Sequence, residues 1–219
     1  MSDLTVDDIR RRRDALDERI LAAGGDPDTV DILAVTKTFP ADVARTAVAA
    51  GLEQLGENYA QEVLEKAPLV DGASWHFIGG LQRNKVRKIA PWISLWQTVD
   101  RVDLALEIAK RAPGARVLIQ MNTTGEPQKS GCEPRELDAL VDAAVAAGLD
   151  VVGLMTVGPT GGGDPQPGFA LLRSHVDRLG LRVCSMGMSG DLEAAVAEGS
   201  TMVRVGTALF GPRPPRAAE

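Results

Sequence analysis

Residues 31–40, DILAVTKTFP, place a lysine between two threonines at the end of a short apolar run. Ile32, Leu33, Ala34 and Val35 are nearly continuous in hydrophobicity, which suits a strand buried on both faces, as in a parallel sheet. A lysine at the carboxyl end of such a strand holds its ammonium at the edge of a low-dielectric interior, where desolvation disfavours the charged form. Lys37 then becomes an amine able to condense with a carbonyl compound: a sugar, a keto acid or the aldehyde of pyridoxal phosphate. The alternative is a side chain that snorkels to solvent from a strand end.

The strand-then-helix pattern repeats outward from this stretch. A helix is predicted from about Thr5 to Ala23, with Thr5 as N-cap and Asp7 and Asp8 at its positive end. Its arginines, Arg10 to Arg13, read as a solvated face supported by i,i+4 contacts with Asp14 and Glu18. Pro40 suits the first turn of a helix that ends before Gly51. Further strands are predicted at Glu53 to Gly56, Trp75 to Ile78, Ser94 to Thr98, Arg116 to Met121, Val151 to Met155, Arg182 to Ser185 and Met202 to Val205. Helices fall between them, at Tyr59 to Lys66, Asn84 to Ala90, Arg101 to Arg111, Pro134 to Ala147, Phe169 to Leu179 and Leu192 to Glu198. With the strand before Lys37 the count reaches eight, the number that closes a (β/α)8 TIM barrel, and residues 1–219 are expected to form this one α/β domain. An open doubly wound sheet is the alternative, but no GxGxxG follows any strand. The glycine-rich stretch Gly161 to Gly168 lacks the lysine and hydroxyl of a phosphate loop and reads as a flexible connection.

Composition narrows the function classes. A net charge of −6 argues against a broad nucleic-acid or anionic-membrane surface, so any anion must be captured locally. The amino terminus has no apolar core segment of a signal peptide, and no run of about 18 apolar residues exists for a membrane span. Two cysteines, Cys132 and Cys184, without CxxC spacing do not make a disulfide framework, and a reducing cytoplasm is expected. Cys184 reads as a small core residue. His76 and His175 lack metal-ligand spacing, so no metal site is expected. The basic residues Arg83, Lys85, Arg87 and Lys88 read as a solvated helix face, with Lys85 and Lys129 facing solvent.

In a barrel, polar residues at the carboxyl ends of strands converge on one mouth. Lys37, Gly56 to Asn58, His76, Asn122, Met155, the Ser185 to Ser189 turn and Arg204 are expected there. Loops after the seventh and eighth strands often bind phosphate, and here they carry Ser189 with Gly190 and Gly206 with Thr207. Glycines let backbone amides approach closely, and the hydroxyls add donors. The plainer reading is that Ser189 caps the following helix and Gly206 makes a turn. Arg204 interrupts the apolar strand MVRVG, and either points into the mouth or pairs with a buried carboxylate.

The segments ILAVTKTFP, LGENYAQE, WHFIGGLQRNK, QKSG, GLMTVGP and SMGMSGDLEAAVAEGSTMVRVGTALFG together resemble the YggS-like pyridoxal-phosphate homeostasis proteins. The resemblance covers about Asp31 to Gly211. It implies a barrel like the N-terminal domain of alanine racemase, pyridoxal 5′-phosphate held on a lysine, and no established catalysis. By position it makes Lys37 the Schiff-base lysine, sets Asn58 near the cofactor ring and makes Arg204 the ring-nitrogen partner. It assigns Met186, Ser189, Gly206 and Thr207 to the phosphate. The chain reaches PRPPRAAE soon after the barrel, so the second domain of alanine racemase and its tyrosine are expected to be absent. Tyr59 is the only tyrosine.

Three functions follow. The first is a monomeric, non-catalytic carrier that buffers pyridoxal phosphate and delivers it to apoenzymes. The second is a pyridoxal-phosphate-dependent amino-acid racemase. The third is a Schiff-base aldolase without cofactor.

Overall fold

The computed structural model describes residues 4–212; the stretch PRPPRAAE, from which a missing second domain was expected, lies from residue 213 on outside the described residues, as do residues 1–3. Eight parallel strands pair each with the next and the last with the first, closing a barrel. They are β1 Asp31–Val35, β2 Gln54–Glu57, β3 Ser74–Phe77, β4 Ile93–Val99, β5 Arg116–Gln120, β6 Asp150–Met155, β7 Val183–Ser185 and β8 Met202–Val205. The helices are α1 Val6–Ala22, α2 Ala41–Ala49, α3 Ala60–Lys66, α4 Arg83–Ile89, α5 Val102–Arg111, α6 Leu137–Ala146, α7 Gln166–Arg178, α8 Leu192–Ala197 and α9 Thr207–Phe210.

Alternation along each strand sorts side chains between two cores. Leu33, Leu95, Leu118, Val152, Met155 and Met202 pack inside the barrel. Ala34, Trp75, Phe77, Trp96, Val117, Ile119, Leu154, Val203 and Val205 point outward into the larger core under the helices. Arg204 is two residues from Met202 and shares its inward parity. β6 takes an extra residue, because Val117 and Leu118 pair with Val151 and Gly153 and skip Val152. Gly153 is required there: a Cβ would sit 2.0 Å from the Val183 carbonyl oxygen.

Several expectations change. Pro40 is the N-cap residue of α2, one position before the first turn, with extended backbone. α7 begins at Gln166, inside the stretch read as a connection, and its one proline, Pro167, sits in the first turn, where helices tolerate it. Pro134–Glu136 is a separate 3-10 turn ahead of α6, and α9 was not anticipated. Thr5 does cap α1, in a capping box with Asp8. The arginine run is more than a solvated face: Arg12 donates to the Leu209 carbonyl at 2.8 Å. The ion pairs of the run are Arg10 with Asp7, Arg11 with Asp8 and Arg13 with Asp17, so Asp14 and Glu18 are not the partners. The basic face of α4 is exposed as expected. No helix among the described residues is long and apolar enough to cross a membrane.

Candidate functional site

The site lies where β8, β1 and β2 reach the carboxyl-end rim. β1 lies between the other two, with Val35 paired to Gly56 on one side and Leu33 to Arg204 on the other. Lys37 follows the end of β1 by two residues and is half-buried. Thr38 has φ 69, the one positive φ outside glycine among the described residues. This region is costly for a β-branched side chain and is kept only where surrounding contacts hold it.

Asn58 follows β2 directly, and its Oδ1 is buried without a hydrogen-bond partner among the described residues. Gly79 presses against it so closely that a Cβ would lie 2.1 Å from the Asn58 carbonyl oxygen. Gly206 follows β8, and a Cβ there would lie 3.2 Å from the Val35 carbonyl oxygen. Gly206 is also the residue before α9, so the first amides of that short helix have no carbonyl of their own turn to bond. Thr207 opens α9 and is exposed. Lys37, Asn58 and the Gly206–Thr207 step therefore share one rim.

Arg204 lies one tier deeper and is buried. Among the described residues no carboxylate pairs with it. Its Nη1 donates to Ser185 Oγ at 2.9 Å and its Nη2 to the Thr156 carbonyl at 2.7 Å. Burial lowers its pKa to about 10, so it stays charged at neutral pH. Ser185 Oγ donates in turn to Gln97 Oε1 at 2.7 Å, and Gln97 Nε2 lies 3.0 Å from His76 Nδ1. With the amide as donor, His76 Nδ1 is the acceptor and the ring proton sits on Nε2. A continuous polar track thus crosses the barrel from β8 to β3. Burial pushes the His76 pKa down to about 4, and this ring is neutral.

The remaining expected residues are differently engaged. Met186 is fully buried in the outer core; its amide donates to Met202 O and its carbonyl accepts from Ser200 Oγ, so it offers no free backbone group. Ser189 is half-buried and does not cap α8, whose N-cap is Asp191. The Ser189 carbonyl accepts from Arg19, which fastens its loop to α1. The Asn122 side chain organises its own loop, bonding Thr124, Gly125 and Glu126. Lys129, expected in solvent, is largely buried, paired with Glu126 and bonded to the Gly158 carbonyl. Cys132 and Cys184 are buried thiols pushed up to about 12 by desolvation, which makes them inert.

Sequence reasoning missed the polar network behind Lys37. Lys66 Nζ reaches Glu57, Glu62 and the Thr36 carbonyl. The four-residue spacing of Glu62 and Lys66 was the available signal. The Gln97–Ser185 step was also missed, because short polar residues within strands carry no distinctive spacing.

The family described as alanine racemase, N-terminal domain, matches residues 10–214. A pyridoxal phosphate homeostasis protein of Pseudomonas aeruginosa is 47% identical over 207 residues, covering 90% of each chain. PipY of Synechococcus elongatus, solved with PLP bound, superposes with a TM-score of 0.80 at 33% identity, covering 93% of this chain and 100% of its own. Alanine racemase from Corynebacterium glutamicum shares the fold, with a TM-score of 0.76 at 16% identity, and this chain covers 61% of it. The closed barrel, the matched domain and relatives of this identity and coverage lead to one conclusion: the chain belongs to the pyridoxal phosphate homeostasis protein family, on the alanine racemase N-terminal domain fold.

Proposed function

We propose that this chain binds pyridoxal 5′-phosphate reversibly on Lys37 and serves to buffer and deliver it, without strong catalytic activity of its own. The observation that carries the reading is the shared rim of Lys37, Asn58 and Gly206–Thr207, with Arg204 beneath it. Bound pyridoxal phosphate supplies an aldehyde that condenses with an amine and a ring that can accept electron density.

The residues fit such a ligand. The buried, unpartnered Asn58 Oδ1 is an unfavourable arrangement that a polar ligand group relieves. Thr207 and the first amides of α9 offer donors to an anion, and Gly206 keeps the backbone approach open. Ser189 contributes from the preceding loop; Met186, with both backbone groups engaged, contributes packing only. Arg204 uses two of its five N–H groups on Ser185 and Thr156, leaving donors for a ring nitrogen. A guanidinium keeps its proton, so that nitrogen stays unprotonated and the ring draws electrons weakly.

Racemisation needs an acid or base on each face of the reacting carbon, and Lys37 serves one face. His76 is neutral and committed to Gln97 at its Nδ1, while Tyr59 is 41% exposed beside the rim. A weak base already engaged at Nδ1 and a solvent-exposed phenol are poor candidates for the second proton carrier. The test combines two assays on protein loaded with pyridoxal phosphate. With L-alanine in deuterated water, no sustained α-proton exchange is expected; with an apoenzyme, measurable transfer of the cofactor is expected. Sustained Lys37-dependent exchange without transfer would favour the racemase.

A further inference from the structure

Both neighbours of Lys37 are tied to one buried side chain, Thr36 directly and Thr38 through Glu62. Lys66, the last residue of α3, is 4% exposed. Its Nζ lies 2.8 Å from the Thr36 carbonyl oxygen, 2.7 Å from Glu57 Oε1 and 2.6 Å from Glu62 Oε2. An ammonium has three protons, and all three are used. The carboxylates extend the hold: Glu57 Oε1 accepts the Thr36 hydroxyl at 2.7 Å, and Glu62 Oε2 accepts the Thr38 amide at 2.8 Å. Thr38 is the residue with positive φ, so the bond from Glu62 falls where the backbone most needs support.

Stability alone is a poor reason for this arrangement. Buried ion groups are often replaced by apolar side chains at little or no cost, since desolvation offsets their attraction. Glu57 Oε2 is moreover buried without a partner among the described residues, which a purely structural pair would avoid. What the trio does achieve is to fix the carbonyl before Lys37 and the amide after it.

We propose that Lys66 is a positioning residue for Lys37: through Thr36, Glu57, Glu62 and Thr38 it fixes the backbone on both sides and thereby the reach of the Lys37 amine toward a carbonyl ligand. The proposal rests on Lys37 being the lysine that condenses with the ligand. The charged groups around Glu57 are Lys66 and Glu62, both from α3; the residue after β1 contributes the Thr36 hydroxyl, and β3 sets Phe77 opposite Glu57. With both carboxylates ionised the trio carries one net negative charge. Burial raises Glu57 to about 7, so that charge changes near neutral pH and marks the trio in a pH profile.

The experiment uses the full-length apoprotein. Pyridoxal, which has the aldehyde but no phosphate, is reduced onto the protein with cyanoborohydride between pH 5.5 and 9, and Lys37 labelling is followed by peptide mass spectrometry. Affinity for pyridoxine 5′-phosphate, which has the phosphate but no aldehyde, is measured in parallel. Glu62→Ala removes the Thr38 tether at a partly exposed position and keeps the test alive if Lys66→Met fails to fold. Both variants are expected to slow Lys37 labelling by about ten- to a hundredfold while pyridoxine 5′-phosphate affinity stays within about twofold. Glu62→Gln, which keeps an acceptor for the Thr38 amide, is expected to recover most of the rate. Glu57→Gln is expected to remove the inflection near pH 7. Labelling of Lys37 at the wild-type rate in Glu62→Ala overturns the proposal, and so does an equal loss of labelling and phosphate-compound affinity. Absence of Lys37 labelling in the wild type would instead overturn the assignment of Lys37 itself, and the positioning role with it.

Discussion

Arg204 Nη1 and Ser185 Oγ are 2.9 Å apart in the closed interior of the barrel, and that hydroxyl is the link between the guanidinium and Gln97. Ser185→Ala removes both bonds and leaves a buried N–H of Arg204 without its acceptor. The expected loss of unfolding free energy is about 1–3 kcal/mol, measured by urea denaturation, with the barrel's circular dichroism unchanged. A Ser185→Ala protein as stable as the wild type would mean that Arg204 finds another acceptor.

His76 and Glu57 give the stability a pH signature in which two slopes oppose each other. His76 is depressed from its ordinary 6.5 to about 4, so its contribution is full above 6.5 and lost as pH falls through 4. At nine-tenths burial this amounts to at most about 3 kcal/mol. Glu57 is raised from 4.5 to about 7, so its contribution is full below 4.5 and lost as pH rises through 7. Between pH 4.5 and 6.5 the two nearly cancel. In His76→Asn, which keeps an acceptor for Gln97, the melting temperature is expected to fall as pH rises across this window; in Glu57→Gln it is expected to rise. Parallel profiles in all three proteins would show that neither group titrates as its surroundings indicate.

The phosphate end of the ligand is tested by Ser189→Ala and Thr207→Val. Each removes a hydroxyl from a loop read as anion-binding, and a charge-assisted hydrogen bond contributes about 1.5–3 kcal/mol. Each variant is expected to bind pyridoxal phosphate about ten- to a hundredfold more weakly. Pyridoxal without phosphate should bind wild type and variants alike. Equal wild-type affinity for the two compounds, measured by titration of absorbance, would remove the phosphate site from these loops.

The barrel was legible in the sequence because its strands are short apolar runs bounded by turns, and β8 was placed to the residue. Boundaries slipped where signals were ambiguous: proline and glycine at Gln166 to Gly168 read as a loop although a helix's first turn accommodates them. Within the candidate site, Arg204 stood out as a charge inside an apolar strand and Lys37 as one just past the end of another. Lys66 did not, since a lysine ending an amphipathic helix ordinarily faces water; only the packing of α3 against β2 turns it inward. Met186 was misplaced in another way, and Lys129 repeats the error made at Lys66. Sequence position put one at the mouth and the other in solvent, whereas Met186 packs in the outer core and Lys129 bonds Glu126 and Gly158.

The central claim is that Lys37 is the residue on which pyridoxal phosphate is held. It is tested most directly by reducing the loaded protein with borohydride and locating the pyridoxyl group by peptide mass spectrometry, in the wild type and in Lys37→Ala. One dominant site, Lys37, is expected in the wild type, and in Lys37→Ala a folded protein that has lost the visible absorbance of the lysine-bound cofactor. A dominant pyridoxyl group on Lys85 or Lys129, or undiminished absorbance in Lys37→Ala, would contradict it.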